Sequence, residues 1–117
     1  MSTRFTVTNH AAAARAASKL PNALTMAATT IAVTSQQLRP HPDDPVPPNV
    51  ALAALVKWQR GQARRESKIS AVMLLLHEAG ASERGLADAL GMSRGTVAAR
   101  LAEARAERDV EAEAASQ

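Results

Sequence analysis

Apolar residues recur at helical spacing through most of this 117-residue chain. The opening MSTRFTVT reads as a frayed end. Asn9 is placed to cap a helix through HAAAARAASKL, because its side-chain oxygen can accept from the free N–H groups of a first turn. Pro21 is expected to interrupt that helix. A second helix is expected from about Asn22 to Leu38. Its apolar side would be Leu24, Ala27, Ala28, Ile31 and Leu38, with Ser35 in the same row. The β-branched run TTIAVT leaves a strand open as the alternative there.

The pattern then breaks. Residues 40–48 hold five prolines, which neither continue a helix nor join a sheet interior, so they read as an extended linker. After Pro48 no proline recurs. VALAALVKWQRGQARRE is helical in pattern, apolar first and basic later. KISAVMLLLHEAG is the most apolar segment and the expected core helix. It places Ile69, Val72, Met73, Leu76 and Ala79 on one face, with Leu74 and Leu75 beside them. Whether residues 50–79 form one bent helix or two stays open, with Gly61 and Ser67 as the weak points. Gly80 fits the left-handed residue that ends a helix. No internal repeat is evident.

LADALGMSRGTVAARL, residues 86–101, has the spacing of two helices meeting at a tight angle. Ser82 can cap ERGLADAL, and Leu86 and Leu90 would face the core. Ala87 is small where the next helix must cross closely. Gly91 supplies the positive φ of a sharp turn without a Cβ clash. Met92 can point back inward, Ser93 can cap the following helix, and Val97 and Leu101 would anchor it. With Thr96, these residues make the stretch resemble a wingless, tri-helical helix-turn-helix. It is similar to the DNA-binding ends of site-specific resolvases and to region 4 of bacterial sigma factors. The resemblance covers about residues 69–105, with LLLHEAG in the place of the first supporting helix.

That resemblance implies an all-α fold in which helix 93–105 lies in the major groove of double-stranded DNA. The residues it would turn toward bases are Ser93, Arg94, Gly95, Thr96, Ala98 and Ala99. Arg94 is the strongest reader among them, since arginine to guanine is the commonest specific contact. Arg100 would reach a phosphate. Lys57, Arg60, Arg64 and Lys68 follow at intervals of three, four and four, and with Arg65 and Arg84 they are further candidates for phosphate contact. One such unit reads few bases, so a homodimer is expected. The row around Leu24, Ile31 and Leu38 is a candidate interface, or it folds back on its own domain.

Charge sharpens this division. The net charge is +3, but residues 49–101 carry eight Lys or Arg against four acids, and residues 102–117 carry two against five. The middle suits a polyanion and the tail is repelled by one. The domain reading is therefore an Ala-rich helical arm over 1–39, a linker over 40–48, a DNA-binding domain over 49–108 and an acidic tail over 109–117. The tail either extends the last helix or is solvated and disordered, and the second is preferred.

Other chemistry finds little support. With no cysteine there is no thiolate metal site or disulfide, which fits a reducing cytoplasm and a nucleoid location. His10, His41 and His77 lack metal-ligand spacing. No phosphate-cradling glycine loop or nucleophile grouping is present, so neither an enzyme nor a cofactor is expected. No apolar run reaches the length of a membrane span. Residues 1–42 contain no acid, as a targeting peptide might show, but read as an ordinary helical segment. Trp58 reads as packing at the edge of the core. The 27 alanines, and eleven arginines to three lysines, suggest a GC-rich bacterial or phage genome. The functional expectation is a small transcriptional regulator. Two alternatives stay open: a module docking on RNA polymerase, a sigma factor or a larger complex, and an accessory factor in DNA architecture or segregation.

Overall fold

The computed structural model describes residues 3–39 and 45–116. Among these residues the chain is all-α, with no β-strand. Its helices are α1 (His10–Ser35), α2 (Pro48–Arg60), α3 (Gln62–Glu78), α4 (Glu83–Leu90) and α5 (Arg94–Ala115). A 3-10 turn, Gln36–Leu38, closes α1. Residues 40–44 of the expected linker, His41 among them, lie outside the described residues.

Asn9 caps α1 as expected, its side chain accepting from the Ala12 N–H at 3.0 Å. Pro21 does not interrupt the helix, contrary to the sequence reading, and TTIAVT is helical rather than extended. Proline removes the N–H that the Ala17 carbonyl would have used. Ala17 and Pro21 are both exposed, so solvent can serve that carbonyl and the cost of continuing is small.

The buried face of α1 also differs from the expected one. Ala13, Ala16, Ala27, Thr30 and Thr34 are buried, with Leu20 and Ala23 half-buried in the same row at alternating steps of three and four. Leu24, Ile31 and Leu38 stay exposed. This row of small side chains lets α1 run close along α3. The Thr34 hydroxyl is satisfied inside that seam, donating to the Thr30 carbonyl at 2.8 Å.

Gly61 separates α2 from α3, which settles the open question over residues 50–79 in favour of two helices. A Cβ there would stand 2.9 Å from Nη1 of Arg65 and 3.5 Å from Thr34 Cγ2. The arginine lies with its guanidinium 3.5 Å from the centre of the Trp58 ring.

The core is built by α3, α4 and α5. Met73, Leu74, Ala81, Leu86, Ala87, Val97, Leu101 and Ala104 form one buried cluster, with Ile69, Leu76 and Met92 against it. Leu90, expected in the core, is exposed instead. It is the last residue of a helix of two turns, immediately before the left-handed Gly91, where the chain already leaves the core.

The start of the chain is tied down rather than frayed. Thr6 N–H donates to the Gly80 carbonyl at 2.9 Å, and Phe5 and Ala81 form an isolated antiparallel bridge. The other end also departs from expectation. α5 continues through the acidic tail to Ala115, its run of Ala, Glu and Arg favouring helix.

Candidate nucleic-acid interface

The junction between α4 and α5 is determined by local chemistry. Ser82 caps α4 by accepting from the Gly85 N–H at 2.9 Å. Gly91 ends it at φ 66°, ψ 32°, and Met92 N–H returns to the Ala87 carbonyl at 3.0 Å. No atom outside its chain neighbours comes within 4 Å of where a Gly91 Cβ would stand, so glycine is required by backbone conformation and not by space. Ser93 then caps α5, its Oγ accepting from Thr96 N–H at 3.1 Å. The same hydroxyl donates to Thr96 Oγ1 at 2.8 Å.

This cap divides the first turns of α5 into two sides. Val97 and Leu101 have no solvent exposure and fix the helix to the core. Ser93, Arg94, Gly95, Thr96 and Ala99 are exposed, and Ala98 is half-buried. Nothing stands within 4 Å of a Cβ built on Gly95. The structure thus gathers all six residues predicted to face bases on one helical end, with the guanidinium of Arg94 as its only charge. Ser93 and Thr96 hold each other and the cap, which restricts the directions in which their hydroxyls can serve a ligand.

The expected phosphate contacts do not share one surface. Lys57 and Arg60 close α2, whereas Arg64, Arg65 and Lys68 belong to α3, so the even spacing of the stripe is interrupted at Gly61. Lys57, Arg60 and Arg64 are exposed. Arg65 packs on Trp58. Lys68 lines a hollow with Asn22 and Met26 of α1 and Glu107 and Glu111 of α5, more than three turns along from Arg94. Arg100 is engaged within the fold: Nε donates to Ser70 Oγ at 2.7 Å and Nη2 to the Glu66 carbonyl at 3.3 Å. It orients α5 against α3 and covers a buried serine.

Arg84 is exposed on α4 and shares a hollow with Thr3, Arg4, Gly85 and Asp88. Arg4 is a cation that reasoning from sequence missed. Its position depends on the Thr6–Gly80 and Thr3–Gly85 contacts, which join residues about 80 apart and leave no local pattern.

Further along, α5 is held to α3 by two polar contacts. Ser67 Oγ donates to Glu107 Oε2 at 2.6 Å, and Arg108 donates through both Nη atoms to Glu78 at 2.8 Å each. That hydrogen-bonded pair holds the Glu78 carboxyl below the usual glutamate range and raises the Arg108 guanidinium, partial burial opposing both shifts.

Among the described residues, no group of three His, Cys, Asp or Glu side chains is arranged to hold a metal ion. None of the described helices is long and apolar enough to cross a membrane. The chain matches no protein-family model, no curated protein and no solved structure.

Proposed function

We propose that this chain is a sequence-specific DNA-binding protein, a small transcriptional regulator of bacterial or phage origin. It acts by occluding a promoter or recruiting to it, without chemistry. The observation that carries this reading is the exposed first turn of α5, presented at a fixed angle by a short helix and a glycine turn. A turn with small side chains around a single arginine can approach base edges closely. In this reading α4 and α5 act as a helix-turn-helix, α3 supports them, and Arg94 pairs with a guanine. Gly95, Ala98 and Ala99 permit close approach and methyl contact with thymine. Exposed Lys57, Arg60, Arg64 and Arg84 supply phosphate contacts, while Arg65 and Arg100 serve the fold.

The sparse face also favours a second reading, docking on RNA polymerase or another protein, because one arginine reads little sequence. Selection of bound duplexes from a random library at about 150 mM salt separates the two. The DNA reading expects an enriched motif. Weak, salt-sensitive binding with no enrichment would reject it.

A further inference from the structure

α2 is a helix whose stability is not explained within one copy of the chain. It is 13 residues long, and none of them is buried. Its N-cap is Pro47, which offers no side-chain hydrogen bond, and its first turn holds no acid. Isolated helices of this length are marginal in water, and helices in proteins persist by burying an apolar face. Yet Val50, Leu52, Leu55 and Val56 are 40–62% exposed.

At 100° per residue, Ala54 and Trp58, the half-buried positions, mark the side that faces the rest of the molecule. Leu52, Leu55 and Val56 lie on the opposite side, flanked by Asn49 and Gln59. This stripe carries no charge. Leu55 connects it to a second apolar surface, an open hollow of about 640 Å³ whose lining includes Leu38, Val46 and Val50. Together these side chains expose apolar surface on the order of 500 Å². A standard stable interface buries about 800 Å² per partner, roughly 65% of it apolar in homodimers, so the patch has the size one side of a dimer needs.

We propose that α2 is the homodimer interface, its outer face covered by the same face of a second copy. A two-fold axis pairs a surface with itself, and this one is suited to that because it brings no like charges together. Lys57 lies across the helix from Leu52, so it stays in solvent. The inference replaces the α1 row of Leu24 and Ile31 as the expected contact. It deepens the DNA-binding reading by setting how two α5 helices are presented, but its test needs no DNA, so either can fail alone.

The experiment is light scattering of the full chain at micromolar concentration. The wild type is expected at twice its 12.3 kDa. Leu52→Glu with Leu55→Glu is expected to give a folded monomer, its helicity checked by circular dichroism. Leu24→Glu with Ile31→Glu is expected to remain dimeric. A monomeric wild type would overturn the proposal and leave the face to a different protein. A dimer that survives the α2 substitutions would overturn it as well. Should the α2 variant lose helicity, the absence of native cysteine allows a second measurement. Leu55→Cys is expected to cross-link into a covalent dimer with a short bis-maleimide, and Val33→Cys is not. Failure of Leu55→Cys to cross-link, or equal cross-linking of the two, would overturn the assignment.

Discussion

Around the second half of α3, α4 and α5, the large apolar side chains are inside: Met73, Leu74, Leu86, Val97 and Leu101 are each at most 4% exposed. Along α1 and α2 the large ones are outside and small ones are in. Ala13, Ala16 and Ala27 are buried, while Leu24, Ile31, Leu52 and Leu55 are 41–62% exposed. The first region closes a core on itself and leaves a polar helix end free. The second makes a close helix seam and leaves apolar surface uncovered. The contrast suggests separate tasks, recognition at one end and association at the other.

The largest effect that sharpens this contrast is expected at Leu101. Leu101→Ala should cost about 2–5 kcal/mol in denaturant unfolding, as a cavity in a dense core does. Leu24→Ala, on the exposed side of α1, should stay within about 0.5 kcal/mol. Equal losses at both would mean that the α1 surface is covered in solution.

Two glycines come next. Gly91→Ala forces a Cβ into the left-handed region and should destabilise by about 1–2 kcal/mol. Gly95→Ala, with helical backbone and open space, should stabilise by up to about 1 kcal/mol. On the DNA reading the same methyl group weakens duplex binding, so stability and affinity should move in opposite directions. Removing the cap by Ser93→Ala should cost about 1 kcal/mol and loosen the recognition turn.

The smallest effect belongs to Glu78. Its side chain is 36% exposed and that of Arg108 43%, so the pair should contribute under about 1 kcal/mol. Because the folded-state carboxyl is lowered, its contribution is present above the unfolded glutamate pKa and is lost as pH falls through the lowered value. The stability difference between wild type and Glu78→Gln should therefore be level at neutral pH and shrink below about pH 4.

The α4–α5 junction was legible because its signals are local. Ser82, Gly91 and Ser93 each act within three or four residues, and Val97 with Leu101 show the inward face. The helices were legible for the same reason. The seam of α1 was not. Hydrophobic periodicity favours the row with the largest side chains, whereas a close helix contact selects the row with the smallest. Pro21 misled because its cost depends on whether the freed carbonyl meets solvent, which sequence does not state. Leu90 was misplaced because its neighbours along the helix face the core, but the helix ends there. The cations were over-counted as phosphate contacts. Arg65 and Arg100 find partners in Trp58, Ser70 and Glu66, and the last two depend on α3 meeting α5.

The claim at the centre of this account is that Arg94 reads a base. The direct measurement is the affinity of wild type, Arg94→Ala and Arg64→Ala for the selected duplex and for its single-base variants. Arg94→Ala should lose about 1–3 kcal/mol of discrimination at one position only, while Arg64→Ala should weaken binding to every duplex alike. An Arg94→Ala protein that keeps the wild-type preference at every position would contradict the claim.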